Sequence, residues 1–456
     1  MSPHPIESQP RDPSRREFLT QASLALAWLM VPSRMETAAR PDPRPASEHD
    51  ADVALAWFGL SLDLVQTTAG YSPPVAARAF AYLGLTLHET VVMGMPRFRS
   101  LSGQIPGLVA PHATRAGRRL HWPTAANAAL AATTRSLFAT TSASNHAAID
   151  TLEASFLPVD GPPALVGDSI SWGKEVAAAV LSAARTDGGH EGHLRNFPTD
   201  YVPPVGPGLW VPTPPGFQRA LQPYWGMNRT FAVPSGAHCQ SGDHPAYSEA
   251  EGSEFYADAI EVYDTTSTLT DEQVEIARFW SDDPGSTPTP PGHSISILNQ
   301  TIEADRLDLA AAAEAYLKVG IAVSDAFVTC WNTKYRYNLI RPVTYIRDLI
   351  DVAWNPLLIT PPFPEYTSGH SVQSAAAFGV MADLFGDQHS LVDHTHDARG
   401  LTPRTFSSFS QCADEAAISR FYGGIHFRPA IDLGLQQGKC VADAVARMRL
   451  KGAPSD

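Results

Sequence analysis

Three short stretches in the last third of the chain carry residues suited to holding an oxyanion. "TCWNTKYRYNLIRP" sets Lys334 and Arg341 seven positions apart. Seven positions are two helical turns, which predicts both cations on one face of a helix that ends where Pro342 follows Arg341. "PPFPEYTSGHS" sets Ser368, Gly369 and His370 directly before an apolar, alanine-rich run. Gly369 lets the backbone approach an anion, and the start of the following helix supplies free N–H groups and a positive dipole end. Ser368 adds a hydroxyl donor, and His370 a group able to exchange a proton near neutral pH. "ISRFYGGIHF" sets Arg420 six positions before His426, with Gly423 and Gly424 between them. That spacing misses a shared helix face, so the glycine pair must bend the chain to bring His426 round. Each stretch alone also fits a bland account: a dipole-stabilised helix end, a serine cap, a core arginine with a carboxylate partner. Together they supply what a tetrahedral anion requires.

The combined order, Lys-x6-Arg-Pro, Ser-Gly-His, Ser-Arg-x5-His, resembles that of the vanadium-dependent haloperoxidases and the related type 2 phosphatidic acid phosphatase superfamily. The resemblance covers about residues 279–432. It implies a mainly α, helical bundle domain of the vanadium haloperoxidase and acid phosphatase type. It implies vanadate, or phosphate as substrate or mimic, held by Lys334, Arg341, Ser368, Gly369, His370 and Arg420, with His426 as the vanadium ligand. His370, His426, Lys334 and Asp283 form the implied catalytic set. His370 would be the acid–base partner, and Lys334 would polarise activated peroxide. In "FWSDDPGSTPTPPGHSISILNQ", Asp283 matches an acidic residue that pairs with the last pocket arginine, so an Asp283–Arg420 pair is expected. Trp331 and Phe363 match residues near the halide site, and Phe363 leans toward the chloroperoxidase-like type. Ordinary core packing is the competing account of both.

The chain departs from the family pattern at three points. Thr367 stands where a proline usually precedes Ser-Gly-His, and Ala430 where the phosphatases carry an aspartate. Asp432, two positions on, is not clearly placed to orient His426. Glu365 adds a negative charge to which the sequence gives no role.

These stretches must be positioned by helices. Apolar residues at helical spacing recur from Ala51 to about Ala184, then over 252–266, 271–280, 305–340, 372–385, 413–422 and 433–450. Alternating strand patterns are rare. One mainly helical domain over 51–450 is therefore expected, with core motifs at 279–432. Residues 188–253 break the pattern, being rich in proline, glycine and tryptophan. A segment so long and aperiodic is expected to be functional or to cover the domain. Arg15-Arg16, an apolar run and a proline stop predict a twin-arginine export signal over 1–39, cleaved after Thr37-Ala38-Ala39, with a linker at 40–50. The expected location is periplasmic or secreted. No later stretch is apolar enough to span a membrane.

The 456 residues carry a net charge of −14, with no basic stripe, which argues against nucleic-acid binding. The four cysteines form no Cys-x-x-Cys pair, and which of them pair, if any, is open. "DQHSLVDHTHD" gathers His389, His394 and His396 with three aspartates; a polar loop near the pocket mouth is expected rather than a metal site. Three functions fit. The first is a vanadate-dependent haloperoxidase acting on hydrogen peroxide, halide and a small organic acceptor. The second is a metal-independent phosphatase acting on a phosphate ester through a His426 nucleophile. The third is a non-catalytic oxyanion-binding protein.

Overall fold

In the computed structural model, residues 44–111, 119–158, 162–240 and 242–452 are described. The expected export signal and the first part of the linker lie outside them. Residues 44–50, placed by the sequence in the linker, are docked on the domain. Ala46 is buried, the Arg44 carbonyl accepts from Trp122 Nε1, and the His49 carbonyl accepts from the Leu309 amide.

Thirteen α-helices are present among the described residues. In chain order α1 spans Asp52–Thr67, α2 Pro73–Val91, α3 Trp122–Leu137, α4 Ala143–Ser155 and α5 Pro163–Ala184. Then come α6, Glu254–Ser267, α7, Asp271–Phe279, α8, Thr289–Ala304, α9, Leu309–Tyr337, and α10, Pro342–Leu349. The last are α11, Gly369–Phe385, α12, Phe409–Tyr422, and α13, Arg428–Ala446. Strands β1, Leu391–Asp393, and β2, Arg404–Phe406, form a short antiparallel hairpin.

Helix α9 is the axis. Its 29 residues are alanine- and valine-rich, buried almost all round, and capped by Asp308, whose side chain accepts from the Ala311 amide. Helices all-round apolar belong in a core. α2 crosses α9 so closely that a Cβ on Gly84 would lie 2.4 Å from the Tyr316 carbonyl oxygen. α13 packs on α11 in the same way: a Cβ on Gly438 would lie 2.2 Å from the Val372 carbonyl oxygen. A second, smaller core joins α6, α10 and the start of α13 around Phe255, Tyr345 and Phe427.

The sequence extends α9 to Arg341; the structure ends it at Tyr337. Asn338 takes a left-handed conformation, φ 48°, which closes the helix. Arg341 is extended and precedes α10. Lys334 and Arg341 therefore do not share a helix face, and they approach the same loop from different elements. Helix α8 starts inside a proline-rich stretch because Pro290 and Pro291 fall in its first turn, where no intrahelical N–H is needed.

Residues 188–253 are irregular, as their composition implied, and they cover the bundle. The Trp210 amide donates to the Asn338 carbonyl and the Ile340 amide to the Gly208 carbonyl. A disulfide, Cys239–Cys440, ties the segment to α13, while Cys330 and Cys412 are free and buried. The buried carboxylate of Asp325 on α9 accepts the amides of Phe231, Ala232 and Val233 at 2.8, 2.7 and 3.1 Å. Asp325→Asn keeps one acceptor for three donors. It should lower stability by about 1–2 kcal/mol, measured by denaturant unfolding, with the loss centred on the covering segment.

No helix among the described residues is long and apolar enough to cross a membrane.

Candidate functional site

The loop between α10 and α11 forms the floor of the site. The Ser368 hydroxyl caps α11 by accepting from the Ser371 amide, and the Ser368 amide donates to the Ala430 carbonyl. Capping uses the hydroxyl as an acceptor and leaves its proton free to donate. Gly369 and His370 open the helix beneath a cavity of about 670 Å³. Arg420 reaches the same cavity from the last turn of α12. Beyond it Gly424, φ 73°, turns the chain so that His426 lines the cavity as well. The glycine pair thus does the bending that the spacing required.

Arg341 is fully buried behind this floor. Its Nε donates to the Phe363 carbonyl at 2.8 Å and its Nη1 to the Ile425 carbonyl at 2.7 Å, with Nη1 also 3.3 Å from His426 Nε2. Lys334 lies beside it, and its position differs from the role expected of it. Nζ donates to three carbonyls, those of Pro364, Glu365 and Thr367, at 3.0, 2.9 and 2.5 Å. All three ammonium protons are spent on the loop, so Lys334 shapes the floor and adds positive potential rather than presenting a free N–H.

Glu365, whose charge has no evident role in the sequence, has one in the structure. Its Oε1 accepts from His426 Nδ1 at 2.8 Å and from the Phe427 amide at 2.9 Å. A carboxylate on Nδ1 and an arginine on Nε2 make Nδ1 the protonated nitrogen and leave a lone pair on Nε2. Burial, then the nearby cations Arg341 and Lys334, push the His426 pKa well below its usual value, so the ring is neutral. Glu365 itself is pushed up to about 7 by burial, against the pull of Arg341 and Lys334. The orienting carboxylate of the phosphatase pattern is thus supplied from Glu365, not Asp432. No local sequence signal could find it, because the two residues lie on separate segments.

The expected Asp283–Arg420 ion pair is not closed among the described residues. Arg420 Nη1 instead donates to the Trp280 carbonyl at 3.1 Å, and burial raises Asp283 while Arg420 acts on it only through space. The neighbouring Asp282 is buried and bonds His293. Trp331 and Phe363 do come together at the cavity wall, with ring centroids 4.9 Å apart, and Lys334 Nζ stands 5.0 Å from the Phe363 ring. Above them the wall is largely apolar, including Tyr71, Phe197, Leu221 and Phe327.

The floor is built for an anion. Arg341 Nη2, Arg420 Nε and His370 Nε2 are buried with no hydrogen-bond partner among the described residues. Such orphans cost about 1–3 kcal/mol each unless a ligand satisfies them. Lys334, Arg341 and Arg420 bring three buried cations against one buried carboxylate, Glu365, and the exposed Asp283, an excess that an anion would balance. Burial, then Arg420, lowers His370 well below its usual value and keeps it neutral. Burial likewise lowers Lys334 to about 7. The lysine is charged below that value, so affinity for a tetrahedral anion should fall as pH rises above it. Sulfate, whose own charge is constant there, is the probe; calorimetry showing undiminished affinity at alkaline pH would refute this.

Of the histidine-rich loop, His389 pairs with Asp305 and His394 with Asp397, while Asp393 and His396 are buried.

A helical bundle closing on a buried, cation-rich floor with one oriented histidine suits an oxyanion. The family model described as the VCPO second helical-bundle domain matches residues 314–353 and 350–451. The chain is similar to a solved structure described as the first bacterial vanadium-dependent iodoperoxidase. Identity is 34%, over 92% of this chain and 99% of that one, with a TM-score of 0.80. Holo- and apo-type bacterial vanadium-dependent chloroperoxidases share the fold, at 17% and 18% identity with TM-scores of 0.64 and 0.62. They cover 84% and 83% of this chain and 93% and 95% of their own. No curated protein sequence matches the chain. The chain belongs to the vanadium-dependent haloperoxidase family. It is accordingly an enzyme of peroxidase type.

Proposed function

We propose that the protein uses vanadate to oxidise halide with hydrogen peroxide, giving hypohalous acid. The observation behind this is a set of buried atoms with no partner among the described residues, the donors Arg341 Nη2 and Arg420 Nε and the proton-accepting His370 Nε2, together with the lone pair of His426 Nε2. That donor set fits a tetrahedral oxyanion with one nitrogen ligand. Vanadate, when bound, supplies a Lewis-acid centre that activates peroxide toward halide. His426 would hold it through Nε2. Arg341, Arg420, Ser368 and the Gly369 backbone would hold its oxygens. The neutral His370 would take a proton at Nε2 as peroxide enters and return it as product leaves. Lys334 would contribute charge through the loop it fixes. Trp331 and Phe363 would face the halide, with the apolar wall above admitting a small organic acceptor. The likeness to an iodoperoxidase favours iodide, the most easily oxidised halide, as the substrate.

The Glu365–His426 bond favours a second reading, phosphate-ester hydrolysis with His426 Nε2 as nucleophile and His370 as acid. Vanadate separates the two because its effects have opposite sign. The proposed enzyme gains iodide oxidation when vanadate is added and hydrolyses aryl phosphate negligibly. Aryl-phosphate turnover that vanadate inhibits, with no halide oxidation, would replace this reading with the second. Tight oxyanion binding with neither activity would leave the third, a binding protein.

We also propose export by the twin-arginine route to the periplasm or beyond. The Arg15-Arg16 leader supports this, as does the Cys239–Cys440 disulfide, which suits an oxidising compartment. Mass spectrometry of the mature N-terminus checks it.

A further inference from the structure

At the cavity wall beside Asp283 lies a second cluster, almost fully buried and not used by the chemistry above. Asp282, His293 and His396 present one oxygen and two ring nitrogens within 4.8 Å of one another. Asp282 is 1% exposed, His293 1% and His396 2%. They come from three separate segments: the turn after α7, the first turns of α8, and the connection after β1. We propose that this cluster is a binding site for one divalent transition metal of the zinc class, with Asp282, His293 and His396 as ligands and Asp393 orienting His293.

Four features point to a metal rather than to a self-contained polar network. His396 Nε2 lies 3.2 Å from Asp282 Oδ1 as an ion-pair contact, and neither atom is otherwise hydrogen-bonded among the described residues. Two ligand atoms each about 2.0–2.2 Å from one tetrahedral zinc stand roughly 3.2–3.5 Å apart and aim at the metal rather than at each other. His293 then presents Nδ1 to the same side, 2.9 Å from Asp282 Oδ2, while its Nε2 bonds Asp393 Oδ2 at 2.7 Å. A carboxylate on the far nitrogen of a ligating histidine is the usual means of fixing its ring and tautomer. The charges agree as well. Two fully buried carboxylates with neutral imidazoles need two positive charges, which one divalent cation supplies. A proton on His293, bridging its two carboxylates, neutralises only one of them; the other requires a second buried imidazolium at His396 or a cation. Mixed nitrogen and oxygen ligands suit zinc better than magnesium or calcium.

The metal would have a structural consequence for the active site. It would tie the Ser281–Asp283 turn to α8 and to the hairpin connection. That turn follows Trp280, whose carbonyl accepts from Arg420 and whose ring stacks on His293 with centroids 4.3 Å apart. The ion would thus hold the wall against which Arg420 is set, without touching the oxyanion.

The test uses the full mature protein, treated with a chelator and then offered zinc alone, without vanadate. Elemental analysis after removal of excess should find about one zinc per chain, and thermal unfolding should shift upward with zinc. His396→Ala should lose more than nine-tenths of the bound zinc and the thermal shift. Zinc-edge anomalous diffraction on wild-type crystals provides the arm that does not depend on a variant folding. A peak bounded by Asp282, His293 and His396 supports the proposal. Retention of less than a tenth of an equivalent by the wild type, equal retention by His396→Ala, or a peak only at the surface histidines His389 and His394 would overturn it.

Discussion

His426→Ala should abolish halide oxidation, reducing it to the slow background of free vanadate and peroxide. His426 is the one imidazole in the pocket whose two nitrogens are both specified, Nδ1 by Glu365 and Nε2 by its contact with Arg341. Alanine removes the nitrogen that would ligate the anion. It leaves Arg341 and Arg420 in place, so weak binding of phosphate or sulfate should survive. That contrast is the informative part. Steady-state iodide oxidation and sulfate calorimetry on the same preparation should show activity lost by roughly three orders of magnitude or more, with anion binding weakened far less. A variant that kept full vanadate-dependent activity would remove His426 from the mechanism. One that lost sulfate binding altogether would indicate a collapsed pocket rather than a missing ligand.

Glu365→Gln should lower vanadate affinity or activity by about 10- to 100-fold, the usual cost of losing the group that orients a metal-ligating histidine. Glutamine is close in shape and can still accept from Nδ1 through its carbonyl oxygen, so the loop should hold. It removes the negative charge, however, and with it the preference for a lone pair on Nε2. An amide turned the other way would donate to His426 and put the proton on the wrong nitrogen. The pH profile separates orientation from mere packing. Glu365 is pushed up to about 7 by burial, so in the wild type its ionisation should appear as an acidic limb of activity near that value. The limb should be absent in Glu365→Gln. A variant with wild-type affinity and an unchanged profile would reduce Glu365 to a structural contact with the Phe427 amide.

Much of this site was legible in the sequence because the groups that bind the anion come in short local patterns. Ser-Gly-His at a helix start and Arg-x5-His across two glycines each encode their own geometry, and both are found where the sequence placed them. The helices were legible for the same reason, their apolar spacing being local. What could not be read was register between segments. Lys334 and Arg341 fit two turns of one helix, but Asn338 takes a left-handed conformation and ends α9 between them. Lys334, apparently a free cation, spends its donors on carbonyls of a loop some thirty positions away. Asp283 and Asp282 are adjacent in sequence, yet Asp282 bonds His293 while Arg420 donates to the Trp280 carbonyl, pairings that composition could not foretell. Glu365 and the Asp282–His293–His396 cluster are assembled entirely from distant segments. Their partners exist only once α8, α11 and the β1–β2 hairpin have packed.

The most direct test of the central claim is a titration of metal-stripped protein with orthovanadate, following oxidation of iodide by hydrogen peroxide. Without vanadate no activity is expected; with it, activity should rise to saturate at about one vanadate per chain, and phosphate should compete for the same pocket. Halide oxidation absent at every vanadate concentration, in a protein that still binds the anion, would contradict that claim.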